Sequence, residues 1–110
     1  MGVPMIERVW HGWTTAEDAD RYERLLKTEI FPGIAAKRVP GYRGLKLLRR
    51  PLPGGAVEFA TIMSFDSWDA VRAFAGDDYE RAYVPASARA VLARFDERSA
   101  HYEVREHLTY

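Results

Sequence analysis

The sequence predicts an α+β domain in which helices cover one side of an antiparallel sheet. Three observations support this class: several segments alternate apolar and polar residues with the period of a strand, two regions carry an apolar stripe with the period of a helix, and together they follow the order β-α-β-β-α-β. That order is the ferredoxin-like arrangement, with four antiparallel strands. The 110 residues suit one domain, which we expect to span residues 1–110.

The first predicted strand, residues 5–14, contains two of the three Trp and one of the three His. Alternation along a strand puts Trp10 and Gly12 on one face and His11 and Trp13 on the other. Large aromatic side chains therefore lie on both faces of the sheet. Because helices on one side would leave the other face exposed to water, we expect a second copy of the chain to cover it.

A helix is predicted to follow this strand. Thr14 and Thr15 both have the spacing of a capping residue, and the acidic residues after them suit the positive end of a helix dipole. A stripe of apolar residues recurs at intervals of three and four positions, namely Ala19, Tyr22, Leu25, Leu26 and Ile30. Pro32-Gly33 is expected to kink or end this helix.

Residues 42–50 and 57–65 are predicted to be strands joined by a hairpin loop at 51–55. The centre of the second of these strands is apolar on both faces, as in a strand covered on both sides. Asp66-Ser67 then caps a short helix that begins with Trp68 and ends at Gly76.

The rest of the chain is predicted to contain two further helical pieces and a strand. Asp77-Asp78 is the expected cap of a turn over residues 79–82, and Pro85 the first residue of a helix that reaches residue 92. The last strand is expected from about residue 94 to residue 106. On it, Ser99, His101 and Glu103 share one face.

Composition argues against several classes of function. The 16 basic residues equal the 16 acidic residues, so a nucleic-acid surface is not expected. No cysteine is present, and the three scattered His lack a metal-binding spacing, so we expect no metal site. No apolar run approaches the ~20 residues of a membrane span, and residues 1–5 lack the pattern of a signal peptide. We therefore expect a cytoplasmic protein without nucleic-acid or membrane partners.

Three stretches carry a family resemblance: RVWHGWTT at 8–15, SFDSWDAVRAFAG at 64–76 and HYEV at 101–104. With the order of elements, they resemble the antibiotic biosynthesis monooxygenase-like domains of the dimeric α+β barrel group. The resemblance implies a homodimer whose two sheets pack face to face, and a pocket between sheet and helices in each subunit. It also implies that no cofactor is needed, since characterised members oxygenate polycyclic phenols without metal or flavin.

Other members of this family degrade haem. They have an Asn on the first strand, a Trp near the second helix and a His shortly after that Trp. Trp68 matches the Trp, but the first strand has no Asn, and Asp77, Asp78 and Tyr79 stand where the His is expected. The resemblance therefore favours the oxygenation of a small phenolic, polyketide-like compound over the degradation of haem.

Oxygenation without a cofactor needs a substrate ionised to an electron-rich phenolate or enolate, which can then reduce dioxygen. The protein must supply an apolar slot, a proton acceptor and exclusion of water. His101 is the first candidate for the proton acceptor, flanked by Ser99 and Glu103, and His11 is the second. The alternative for each histidine is a hydrogen-bonded, inert position in a dimer interface.

Five aromatic residues are candidates to bind such a substrate: Trp10, Trp68, Tyr22, Tyr79 and Tyr83. The alternative is that they fill the core. Arg8 and Arg49 could bind a carboxylate or phenolate, or lie solvated at a strand edge. The rival function is a non-catalytic dimeric module that binds a small apolar ligand or packs against a partner. A cavity of ~300 Å³ or more with a His in its wall would favour the enzyme, and a filled interior the module.

Overall fold

The computed structural model describes residues 4–110. The prediction that residues 1–5 are not a signal peptide falls partly on residues 1–3, which lie outside the described range. Its elements are β1 (Ile6–Thr15), α1 (Ala16–Leu25), a π-helical segment (Leu26–Ile30), α2 (Phe31–Ala36), β2 (Tyr42–Pro51), β3 (Ala56–Phe65), α3 (Trp68–Ala75), α4 (Ala86–Arg89), β4 (Arg94–Phe95) and β5 (Ala100–Glu103). None of the helices in this range is long and apolar enough to cross a membrane.

The strands form one antiparallel sheet in which β1 is central. The order is β2-β3-β1, and both β4 and β5 pair with the other edge of β1. β1 and β3 pair along their whole length, from Ile6 opposite Phe65 to Thr15 opposite Ala56. This confirms the predicted α+β fold with ferredoxin-like strand order. The sheet has five strands and not four, because the predicted last strand is interrupted.

The helices cover the face of β1 that carries Ile6, Arg8 and Trp10, and the predicted alternation of β1 is confirmed. Buried residues on this side form two clusters. The first, under α1 and α4, includes Tyr22, Leu26, Phe59 and Leu92; the second, under α3, includes Ile6, Met63, Phe65 and Val71. The opposite side, here called the outer face, carries His11 and Trp13.

Between the two clusters the covered face of the sheet is not fully buried. Trp10, Thr61 and Leu47 are direct neighbours across β1, β3 and β2, and each is only half-buried. The next residues on either side of this row in β3, Phe59 and Met63, are buried. Solvent therefore reaches the covered face of the sheet along this row.

Most predicted ends of the early elements are confirmed. The Thr15 hydroxyl accepts a hydrogen bond from the Asp18 amide at 3.2 Å and caps α1. The Ser67 hydroxyl caps α3 in the same way, and Gly76 ends that helix with a φ of 84°. Pro32 does not end the helical structure, which continues to Ala36 after the π-helical segment has shifted the hydrogen bonding just before the proline.

Three predictions for the second half are wrong. Residues 79–82 form no helix, because their backbone pairs with a later segment: the Ala82 amide donates to the Glu97 carbonyl at 2.9 Å, and the Ser99 amide donates to the Glu80 carbonyl at 2.6 Å. The same pairing draws residues 97–99 away from β1 and divides the last strand into β4 and β5. The helix after Pro85 ends at Arg89 and does not reach residue 92.

Candidate functional site

Four side chains from separate parts of the chain meet on the covered face of the sheet. The pairing of β1 with β5 places Arg8 directly beside His101. Trp68 is the first residue of α3, and Tyr79 lies in the turn after that helix. The ring centroids of Tyr79 and His101 are 5.1 Å apart in an edge contact, and the Trp68 ring lies 5.5 Å from Tyr79 and 5.9 Å from His101. We call these four residues the Arg8–His101 site.

Arg8 brings a buried cation to this site. Its side chain is 6% exposed, and its guanidinium lies 5.6 Å from the centre of the Phe74 ring. It donates hydrogen bonds to the carbonyl of Tyr79, to Nε2 of His101 at 3.0 Å and to the carbonyl of Arg81 at 3.4 Å. Burial lowers the pKa of Arg8, but a guanidinium stays protonated in proteins. Its hydrogen-bond partners in residues 4–110 are two backbone carbonyls and an imidazole, and none of them is a carboxylate.

His101 is held as a neutral imidazole. Because a guanidinium has only donors, Nε2 of His101 must accept, and the ring proton lies on Nδ1. Nδ1 is buried and has no hydrogen-bond partner within the described chain. Burial, and next the positive charge of Arg8, lower the pKa of His101, while the Glu80 carboxylate opposes them. His101 is thus uncharged at neutral pH, but its lone pair is occupied by Arg8.

His11 lies on the outer face, so the two candidate histidines do not share a site. Its Nδ1 donates to the Asp96 carboxylate at 2.8 Å, and the same oxygen accepts the His11 amide at 2.9 Å. The ring stacks on Trp13 at 5.9 Å, and the Arg94 guanidinium lies 3.9 Å from the centre of the Trp13 ring. The Trp13–Arg94 contact is a cross-strand pair of β1 and β4, and the His11–Asp96 contact lies one residue beyond β4. Both stabilise the register of the sheet, whereas His11 and Trp13 are neighbours along one face of β1.

The remaining predicted residues lie apart from the Arg8–His101 site. Trp10 is in the half-buried row and donates from Nε1 to the Asp96 carbonyl at 2.8 Å. Tyr22 is 1% exposed, packs its edge on Phe59, and has a pKa raised by burial, so its ring fills the core. Tyr83 is 86% exposed.

Arg8 is the residue whose role the sequence interpretation underestimated. An arginine at a strand edge was one expectation for both Arg8 and Arg49. Arg49 does form exposed ion pairs, with Asp20 at 2.7 Å and Glu23 at 3.1 Å. Arg8 instead lies inside, on the central strand. Alternation already places it on the face of Ile6 and Trp10, so a signal for its burial was present.

Two surface grooves are found on the helical side. One of 340 Å³ lies over the exposed side of α1 and is lined by Asp20, Glu23, Arg24, Lys27 and Thr28. The other, of 370 Å³, lies between α1 and α4 and includes Leu25, Ser87 and Val91 in its wall. Neither has a histidine in its lining, so neither meets the criterion set for an enzyme cavity.

The described residues do not fit a haem or a metal centre. Residues 4–110 hold no group of three or more His, Cys, Asp or Glu that could bind a metal ion. The Nε2 lone pair of His101 accepts from a guanidinium, so it is not free to bind a metal ion. His11 lies on the other face of the sheet, and His107 lies in the exposed C-terminal stretch.

The fold and the site define an α+β domain with a ferredoxin-like sheet and an aromatic, basic cluster beneath its helices. Comparison with solved structures identifies the fold more closely. A Bacillus cereus protein of the antibiotic biosynthesis monooxygenase type is similar over 97% of this chain and 99% of its own, with a TM-score of 0.64 and 15% identity.

Two other solved structures are similar to a comparable degree. A mutant of SnoaB, a cofactor-independent oxygenase from Streptomyces nogalater, has a TM-score of 0.60 and 19% identity, over 98% of this chain and 100% of its own. A haem-degrading protein from Mycobacterium tuberculosis has a TM-score of 0.61 and 18% identity, over 99% of this chain and 100% of its own. No family model matches the sequence, and no curated protein does.

The chain therefore has the fold of the antibiotic biosynthesis monooxygenase domain proteins, as the sequence resemblance implied. The shared fold carries no substrate with it, because one fold hosts many reactions.

Proposed function

We propose that this protein is a cofactor-independent monooxygenase that acts on a small aromatic, phenol-like compound. The observation that carries the proposal is the convergence of Trp68, Tyr79 and a neutral His101 on one partly exposed part of the covered face. Flat aromatic walls suit a planar ring, and a neutral imidazole can take a proton near neutral pH. The fold shared with a cofactor-independent oxygenase supports the same reaction class.

In this proposal the substrate ring lies against Trp68 and Tyr79. His101 takes the proton of an acidic hydroxyl or enol, and the electron-rich anion reduces dioxygen. The substrate itself supplies the electrons. One oxygen atom enters the product, and the other leaves as water. The flanking rings of Trp68 and Tyr79 limit the contact of the anion with solvent, which favours its reaction with dioxygen.

The test is oxygen uptake by the purified protein with anthrone-type substrates and quinols. We expect uptake above the uncatalysed rate, and we expect His101→Ala to lower kcat by about 10²-fold or more, the usual effect of losing a general base. His107→Ala is the matched control, because His107 lies in the exposed C-terminal stretch, and it should leave the rate unchanged. The proposal fails if no substrate gives uptake, or if His101→Ala and the control are equally active.

The proposal includes a homodimer whose outer faces pack together. On the outer face Val9 lies opposite Ile62, and Leu48 lies opposite Ala60 in the next row; Leu48 is 47% exposed in the single chain. An exposed apolar centre on a sheet is typical of an interaction surface. Packing two such faces would bury Trp13 and Leu48 while leaving the Arg8–His101 site of each chain on its helical side.

A second function remains supported by a specific observation. The lone pair of His101 is occupied by Arg8, and neither surface groove contains a histidine. Both facts favour a non-catalytic dimeric module that binds a small apolar ligand. The two functions differ in one measurement: such a module would bind anthrone-type compounds without accelerating their reaction with dioxygen.

A further inference from the structure

We propose that Arg8 anchors an anionic oxygen of the ligand, and that this exchange releases His101 to act on a neighbouring hydroxyl. The ligand class is a planar aromatic acid or acidic phenol with a second hydroxyl next to its ionised oxygen. The inference rests on the site of the proposed function, since it names the kind of substrate that this site takes. It concerns binding, so it can be tested without turnover.

Within residues 4–110, Arg8 is a buried cation with no anionic partner. Five other arginines form ion pairs with carboxylates in residues 4–110, and all five are at least partly exposed. The pairs are Arg43 with Asp66, Arg49 with Asp20 and Glu23, Arg50 with Glu58, Arg72 with Asp69, and Arg98 with Asp78 and Glu80. Arg8 has two carbonyls and an imidazole. A buried charge is costly unless it is paired. An incoming anion would therefore gain more binding free energy at Arg8 than at the exposed arginines that already have carboxylate partners.

An incoming anion would replace hydrogen bonds that Arg8 now donates to neutral acceptors. The same nitrogen, Nη1 of Arg8, donates both to the Tyr79 carbonyl and to Nε2 of His101. Hydrogen bonds to an ionised acceptor are roughly twice as strong as those to a neutral one. An anionic oxygen therefore competes well with the imidazole for Arg8. Once displaced, Nε2 of His101 has a free lone pair and can accept a hydrogen bond from an adjacent hydroxyl.

The surroundings of Arg8 give a ligand access and favour a flat shape. Arg8 borders the half-buried row at Trp10 and Thr61, where solvent reaches the covered face of the sheet. The rings of Trp68, Tyr79 and Phe74 surround its guanidinium and the paired imidazole. Flat aromatic neighbours favour a planar ligand, and the unpaired cation favours one with a negative charge. Together they select aromatic anions over neutral aromatic rings of the same size.

The experiment is isothermal titration calorimetry at pH 7.5 with 2-naphthoate and 2-naphthol, which share a ring system and differ in charge. We expect 2-naphthoate to bind at least about tenfold more tightly, the range for a hydrogen bond to a charged group. Arg8→Met should remove this preference. Arg49→Met is the matched control, because Arg49 also lies on a strand over a phenylalanine ring, 5.5 Å from Phe59, but is exposed and paired; it should keep the preference.

A second readout follows the release of His101. The ¹⁵N resonance of its Nε2 should shift when 2-naphthoate binds, because the Arg8 hydrogen bond is lost, and 2-naphthol should leave it unchanged. Equal affinity for the two compounds, or an Arg8→Met protein that retains the preference, would overturn the inference. If Arg8→Met does not fold, the affinities of the wild type for 2-naphthoate and 2-naphthol, together with those of Arg8→Lys, still test the preference for an anion. If the protein prefers anions but shows no oxygen uptake, only the proposed function is refuted. If it takes up oxygen with neutral substrates and Arg8→Met does not change the rate, only this inference is refuted.

Discussion

The contact between Arg8 and His101 controls the charge of the site. The guanidinium donates to Nε2, which fixes the proton of the imidazole on Nδ1 and disfavours a second positive charge 3.0 Å away. In the absence of a ligand, His101 is therefore a neutral base whose lone pair is engaged by Arg8. A free imidazole would be a stronger base, and a charged imidazole would be no base at all.

This contact makes a prediction for the pH dependence of stability. The pKa of His101 lies below its ordinary value of 6.5 in the fold, because of burial and the Arg8 charge, with Glu80 acting against them. Below about 6.5 the unfolded chain binds more protons at this residue than the folded chain does. The stability linked to neutral His101 is thus complete above the unfolded pKa and is lost as pH falls through the folded pKa.

The measurement is the free energy of unfolding in urea at steps from pH 7.5 to pH 5. We expect the wild type to lose stability more steeply than His101→Gln, whose amide does not titrate but can still accept from Arg8. His11 and His107 are present in both proteins, so the difference between the two curves isolates His101. Parallel curves would show that the fold does not hold His101 neutral.

Some of the site could be predicted from single residues. His101, Trp68 and Tyr79 were candidates on residue type and family resemblance, and the structure brings these three together. The partner of His101 could not be predicted, because the pairing of Arg8 with His101 depends on the register of β5 against β1, which joins residues far apart in the chain. The same is true of the opposite faces on which His11 and His101 lie.

At the scale of elements, short sequence motifs predicted those helix ends that depend on contacts within a few residues. The caps at Thr15 and Ser67 and the break at Gly76 each depend on neighbours within a few residues. The turn after α3 does not. Asp77-Asp78 resembles a helix cap, but Arg98 pairs with Asp78 at 2.9 Å and with Glu80 at 3.3 Å. The backbone of residues 80–82 pairs with residues 97–99. A tertiary partner therefore overrides the local propensity for helix.

The turn before β2 gives a prediction about how α3 is held. Gly41 has a φ of +82°, and a Cβ there would lie 2.6 Å from the Cβ of Ala70 on α3. Gly54 in the β2–β3 hairpin has a φ of +88° with no atom within 4 Å. An alanine at either position costs roughly 1 kcal/mol or more for the left-handed backbone, but only Gly41→Ala also forces α3 away from the sheet.

We therefore expect Gly41→Ala to destabilise the protein by at least about 1 kcal/mol more than Gly54→Ala, the usual cost of overpacking. Urea unfolding at pH 7.5 measures both. Combining Gly41→Ala with Ala70→Gly should recover part of the difference, because it removes the overlapping methyl group. Equal losses for the two single variants would mean that α3 does not pack closely on this turn.

At the scale of the whole molecule, the sheet has a different task on each face. The covered face holds the core clusters and the Arg8–His101 site. The outer face has an apolar centre of Val9, Ala60 and Ile62, with Glu7, Lys46, Arg50 and Glu58 around it. The sequence suggested this division through aromatic residues on both faces of β1. Which surface covers the outer face depends on a partner, and one chain does not contain that information.

The last prediction concerns that partner. If two outer faces pack together, sedimentation of the wild type at micromolar concentration should give a stable dimer. Ile62→Asp should weaken it by about a hundredfold or more, because each subunit would bury an unpaired carboxylate at the centre of the interface. Ser87→Asp is the control, since Ser87 is exposed on α4, on the helical side of the molecule, and it should leave the dimer intact.

The three outcomes lead to different conclusions. A dimer disrupted by Ile62→Asp but not by Ser87→Asp would support face-to-face packing of the sheets, and the apolar centre of Val9, Ala60 and Ile62 would then be an interface. A dimer insensitive to Ile62→Asp would place the interface elsewhere and leave Leu48 exposed. A wild type that sediments as a single chain would leave the outer face in contact with water, and the contacts of His11 with Asp96 and Trp13 would then act only within one sheet.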